Sequence, residues 1–274
     1  MASTRIGVPT EFDRIEALKL MDLISLKTPE TVEFGTFISE DTTSRARGNT
    51  MIAKGTLRAD ELSMQTRDRS LQLPSLEVDH AVLRTFGKGD IGVDSFSGKH
   101  VDGKKGDLTA ASEIGDIAVV KMDANDVNLK ITREGNILTS RPSVNTAHLS
   151  TASGNILTEG FMSQSSLYGA TDEGDIFGEY GFPGEGASLW TKQGYINAGI
   201  IGDSRTGGKF QVTNDQGDVD VQLIPSESAT GALGHFQGTL EVTCPKGKID
   251  LNGEARSNYV KKDFGDGSVI WQCL

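Results

Sequence analysis

Short runs in which apolar and polar residues alternate recur along this chain. Val127, Leu129 and Ile131 form one such run and are followed by Ile137; Leu149 belongs to the next and is followed by Ile156. Alternation over four to six residues marks a strand half-buried against a core. A glycine stands between successive runs. Gly115-Asp116-Ile117, Gly135-Asn136-Ile137, Gly154-Asn155-Ile156, Gly174-Asp175-Ile176 and Gly194-Tyr195-Ile196 begin at intervals of 20, 19, 20 and 20 residues. Looser returns flank them: Gly89-Asp90-Ile91 lies 26 residues before the first, Gly217-Asp218-Val219 lies 23 after the last, and Gly247-Lys248-Ile249 follows 30 later. Three residues before the last four regular glycines stand Thr132, Thr151, Thr171 and Thr191.

A unit of about 20 residues is too short for a helix plus two strands with their loops, but it suits one coil of a β-solenoid. Coils stack at the strand spacing of about 4.8 Å. No coil can bury its own apolar face, so stability comes from its neighbours. The spacing predicts an interior ladder of Ile117, Ile137, Ile156, Ile176 and Ile196, with structural corners at Gly115, Gly135, Gly154, Gly174 and Gly194. Glycine accepts a positive φ without steric cost, and the Asp or Asn after it tolerates left-handed geometry and can bond its own backbone.

Residues 1–70 lack the glycine corner and divide from a repeat domain over 71–274. Their charge is nearly balanced, with 10 Lys and Arg against 11 Asp and Glu. Thr10 and Asp13 form a weak capping box for a helix over 11–26, with Phe12, Ile15, Leu18 and Leu26 near one face and Thr28-Pro29 ending it. Such a helical or mixed segment would cover the open end of the solenoid, where apolar core and strand edges are exposed, the alternative being a docking helix for a partner. Segments near Thr31–Ser39 and Thr50–Ser63 read as strands leading into the repeats. At the far end Ser268–Leu274 reads as a last strand, with Trp271 as a plug.

The G-[DN]-I corners resemble those of a family of adhesin-like proteins built from short β-strand repeats, over about residues 76–252. That resemblance implies an all-β, single-stranded right-handed β-helix with no known catalytic residues and no settled activity. The chain departs from the simplest pattern at Gly181-Phe182-Pro183-Gly184-Glu185-Gly186, which interrupts a coil, and where the last two spacings lengthen and loops such as Pro225–Gly234 bulge.

Composition and charge sharpen the picture. Glycine is abundant, 33 of 274 residues, while aromatics make up only 6%, so turns are many and bulky anchors few. The net charge of −11 opposes a sequence-independent grip on nucleic acid or anionic lipid. It is unevenly spread: residues 142–245 carry 3 basic side chains (Lys192, Arg205, Lys209) against 12 acidic ones. No run reaches the length of a transmembrane helix, and no signal-peptide pattern opens the chain. A soluble intracellular or organellar protein is the expectation, with envelope or surface as the alternative. Cys244 and Cys273 both fall on apolar parity, which favours buried thiols over a disulfide.

Candidate chemistry is thin. Asp215, Asp218 and Asp220 cluster at one corner and could supply an acid and a base, but the repeat and turn chemistry already account for the first two. Gly202–Phe210 is similar to a phosphate loop, but its glycines are misplaced and Phe210 stands where Ser or Thr would hold magnesium. His80, His100, His148 and His235 show no ligand spacing, and Asp263–Gly267 lacks the remaining ligands of a calcium loop. No catalytic residue, cofactor or metal is therefore expected. The expected function is a non-catalytic scaffold or accessory subunit that meets a protein partner; its acidic charge serves solubility first, the alternative being a face for a basic partner or divalent cations that includes Glu159 and Glu179. A surface adhesin or a carbohydrate-active β-helix enzyme are the alternatives.

Overall fold

The computed structural model describes residues 5–6, 32–34, 37–47, 50–68, 70–98, 105–140, 142–181, 186–202, 208–227, 233–234, 239–253, 259–263 and 265–273. The helix expected over 11–26 lies outside them. Every regular element among the described residues is a strand. Parallel coils stack into a β-solenoid with about seven turns of about 20 residues. Chain contacts divide it into two compact units, Met1–Leu138 and Thr139–Leu274.

In the first unit each coil supplies strand segments to three stacks. Leu71, Ile91 and Ile117 succeed one another in parallel register in one, Leu76, Phe96 and Met122 in a second, and Met64, Leu83, Ala110 and Leu129 in a third. All ten side chains are buried. The spacing of 26 residues between Gly89 and Gly115 leaves Ile91 paired with Ile117 and Leu83 with Ala110, with a one-residue shift between Thr85 and Lys88, because most of the extra residues fall in the connection between Ile91–Gly98 and Asp107–Ile114. Parallel pairing already includes Thr50–Arg67, upstream of residue 70. The other edge of that strand is taken by antiparallel neighbours, Phe37–Arg47 and Val32–Phe34. They close the edge that a parallel stack would otherwise leave open.

The second unit stacks in parallel likewise, with continuous strands such as Ile176–Gly181. Ile156, Ile176, Ile196, Val219 and Ile249 are successive partners in one stack. In the other, Leu149, Gly169, Leu189, Val212 and Val242 follow one another. The two stacks bury their inner faces against each other, and Tyr180 of one meets Phe210 of the other at a ring-centroid distance of 6.2 Å. The 30-residue interval between Gly217 and Gly247 is absorbed by a small hairpin, in which Ser226 and Glu227 pair antiparallel with Gly234 and Leu233. In this second stack parallel pairing ends at Thr239–Thr243, which pairs antiparallel with Ser268–Cys273, and this last strand pairs in turn with Tyr259–Asp263. Trp271 sits in that strand; its side chain is not among those described.

Candidate interaction surface

The corners are built by three residues acting together. Gly115, Gly135, Gly154, Gly174 and Gly194 all have φ between +132° and +154°. At Gly174 a β-carbon would also run into the carbonyl oxygen of Gly154 in the coil before, so both conformation and space demand glycine. The next residue turns its side chain along the stack. Asp90 accepts from the backbone N–H of Asp116 at 2.9 Å, Asp116 from Asn136 at 2.7 Å, Asn155 from Asp175 at 2.8 Å, Asp175 from Tyr195 at 2.7 Å and Asp218 from Lys248 at 2.8 Å. The acceptor thus serves the following coil's amide, whereas the sequence suggested a bond to its own backbone. The corner isoleucine then points inward, and Ile117, Ile137, Ile156, Ile176 and Ile196 are all fully buried.

Behind the corner runs a line of buried hydrogen-bond donors, each aimed at the glycine carbonyl of the preceding coil. Thr171 donates to Gly154 at 3.0 Å, Thr191 to Gly174 at 2.9 Å, Asn214 to Gly194 at 2.9 Å and Ser112 to Gly89 at 3.0 Å. The Cys244 thiol takes the same post, 2.9 Å from the carbonyl of Gly217. Cys244 is a free thiol, and burial pushes its pKa up. Thr132 stands apart from this line. It is exposed, and Ile131 takes the inward place in register with Ser112, because the strand runs one residue longer before Gly135.

These posts absorb most of the residues that could have carried chemistry. Asp218 is occupied with the amide of Lys248, while Asp220 accepts from the Tyr195 hydroxyl at 3.4 Å. Burial, and then the charge of Asp220, hold the Tyr195 phenol above its usual pKa. Asp215 is placed by its own amide, which donates to Thr191 at 3.0 Å. His80 lies 3.3 Å from Asp107 at the surface, and His148 stacks on Tyr168 at 4.5 Å. His100 and His235 lie outside the described residues, as do positions 203–207 of the loop similar to a phosphate loop. Asp266 accepts from the amide of Ser268 and closes a turn. No group of three His, Cys, Asp or Glu that could hold a metal occurs among the described residues. A shallow polar concavity near the corners is lined by Ala152, Ser153, Asp172, Glu173, Lys192 and Gln193.

Outside the corners, the second unit offers two outward faces. On the stack that begins at Ile156, Glu159 and Glu179 are exposed on neighbouring coils; the pairing shifts between Thr158 and Phe161, so Glu159 and Gly160 together oppose Glu179. Ser140 donates to Glu159 at 2.8 Å. Phe177 and Tyr195 meet edge to face at 5.8 Å close by, and Asp220 and Asp250 follow Phe177 and Asn197 in the same outward row. On the other stack the row is His148, Tyr168, Ser188, Gln211 and Glu241. Hydrogen bonds from Lys209 and Gln211 hold the Glu241 carboxyl below its usual pKa. The glycine corners do not point to this row. The 20-residue step from His148 to Tyr168 is the signal that could have found it.

Comparison with protein families, with curated proteins and with solved structures produced no match.

Proposed function

We propose that the protein works by contact, as a non-catalytic scaffold or accessory subunit that binds a basic protein partner through the acidic outer face around Glu159 and Glu179. The observation that carries this reading is the placement of two exposed carboxylates on neighbouring coils with no basic side chain paired to either among the described residues. Like charges facing each other across adjacent strands are destabilising. A cationic partner would relieve that repulsion. The row through Asp220 and Asp250 extends the negative face, and no Lys or Arg occupies outward positions 157, 159, 177, 179, 197, 199, 220, 222, 250 or 252. The resemblance of the G-[DN]-I corners to adhesin-like repeats agrees with a role in contact.

The test is the Glu159→Lys/Glu179→Lys variant, measured for association with whatever partner the native protein co-purifies with. The fold should persist, since both side chains are exposed, and association should weaken. The loss should grow at low salt, because exposed charges are screened over about 10 Å at roughly 0.1 M. A complex that survives the reversal would move the contact surface elsewhere. Cleavage of an acidic polysaccharide by the purified protein, lost in Asp218→Asn or Asp220→Asn with the fold retained, would replace the contact reading with a catalytic one.

A further inference from the structure

We propose that the outward face of the second unit carries a slot for an arginine side chain of a partner protein, formed over Ser188 between Tyr168 and Gln211. The slot follows from one aromatic stack that stops short. His148 and Tyr168 are register partners on adjacent coils, and their rings stack at 4.5 Å with 27° between planes. One face of Tyr168 is therefore covered, and the other looks toward the next coil. The partner there is Ser188, whose side chain ends at its hydroxyl. Ser188 supplies no third ring to continue the stack.

Gln211 bounds the far side, two strand steps from Tyr168, or about 9.6 Å. A flat group needs about 3.5–4 Å of clearance on each side, so the strand spacing leaves room for one planar group above Ser188. Gln211 is also turned away from the slot's centre, since its Nε2 donates to Glu241 at 3.0 Å, and Glu241 is in turn paired with Lys209 at 2.6 Å. With its amide nitrogen so committed, Gln211 keeps Oε1 as an acceptor. Ser188 adds a second oxygen on the floor. Gly186, two residues before Ser188 and also outward, has no side chain to block the entrance, while half-buried Trp190 stands on the opposite side.

The chemistry of this place selects its occupant. A guanidinium is planar, carries five donors and no acceptor, and stacks on aromatic faces. It can lie against Tyr168 and donate in its own plane to the Ser188 hydroxyl. A lysine ammonium has no plane to stack, and a neutral aromatic ring brings no donor for that hydroxyl. Charge agrees: residues 142–245 hold 12 acidic against 3 basic side chains, and Lys209, two residues before Gln211, is already neutralised by Glu241. The proposal goes beyond the acidic face at Glu159 and Glu179, which lies on the other stack of strands.

Amide chemical shifts of the full chain should be followed while acetyl-Gly-Arg-Gly-amide, its Lys counterpart and its Tyr counterpart are titrated at about 0.15 M salt, where distant charges are screened. The arginine peptide should give saturable shifts centred on Ser188, Tyr168 and Gln211, at least about five-fold tighter than the lysine peptide. Tyr168→Ala should abolish them by removing the stacking face, and Ser188→Tyr by filling the gap. Glu159→Lys/Glu179→Lys should leave them in place, which separates this site from the acidic face. Equal response to arginine and lysine, preference for the tyrosine peptide, no saturable shift, or binding that persists in both slot variants would each overturn the assignment.

Discussion

At the scale of single residues, the corner is where the chain has least freedom. Gly174 holds φ at +145° with the carbonyl of Gly154 pressed against the place of its missing side chain. Gly174→Ala should destabilise the second unit by about 1 kcal/mol or more, read from a denaturant midpoint; an unchanged midpoint would mean the corner can relax. The buried donors allow a sharper comparison. Thr171→Val keeps shape but strands the carbonyl of Gly154, and should cost about 1–3 kcal/mol. Cys244→Thr should instead be tolerated, because threonine fills the equivalent post at Thr171 and Thr191 and is a stronger donor than a thiol. Greater damage from the second change than from the first would refute the shared role. The threonine pattern was legible in the sequence at Thr171 and Thr191 but misleading at Thr132, since one extra residue before Gly135 reverses which side faces in.

At the scale of elements, a strand here is held by the coils on either side of it. Ile156 has Ile176 as its parallel partner and no exposure, within a column that continues through Ile196, Val219 and Ile249. Ile156→Asp should therefore unfold the second unit as judged by loss of the β-sheet circular dichroism signal, because an unpaired buried carboxylate costs far more than the roughly 1.5–3 kcal/mol of the lost apolar side chain. A folded variant would mean that the column can open to water. The same stacking explains why the looser spacings do no harm. Parallel register depends on where a segment enters the stack, so the additional residues before Gly115 and Gly247 leave as connections and a hairpin while the inward columns continue.

At the scale of the whole molecule, each unit is a parallel stack with one edge finished by antiparallel strands: Phe37–Arg47 and Val32–Phe34 in the first, Ser268–Cys273 with Tyr259–Asp263 in the second. An uncovered edge is a template for another chain. Deleting residues 259–274 should bare Thr239–Thr243 and produce concentration-dependent self-association, measurable by sedimentation velocity. A truncated protein that stays monomeric would show that these strands are not needed to guard the edge.

Repetition is why so much could be read without coordinates. A glycine corner followed by an inward isoleucine, returning every 20 residues, leaves a stack of β-coils as the arrangement that buries every such residue, and the burial of Ile117, Ile137, Ile156, Ile176 and Ile196 follows from that period alone. What the period could not carry is contact between side chains one coil apart. Whether Asn155 bonds its own backbone or the amide of Asp175 depends on the 20-residue register becoming a spatial neighbour. The same holds outside the core. His148 and Tyr168 become a stack, and Ser188 becomes a gap beside it, because parallel strands place residues 20 apart side by side, and the size of each side chain then decides which neighbours touch.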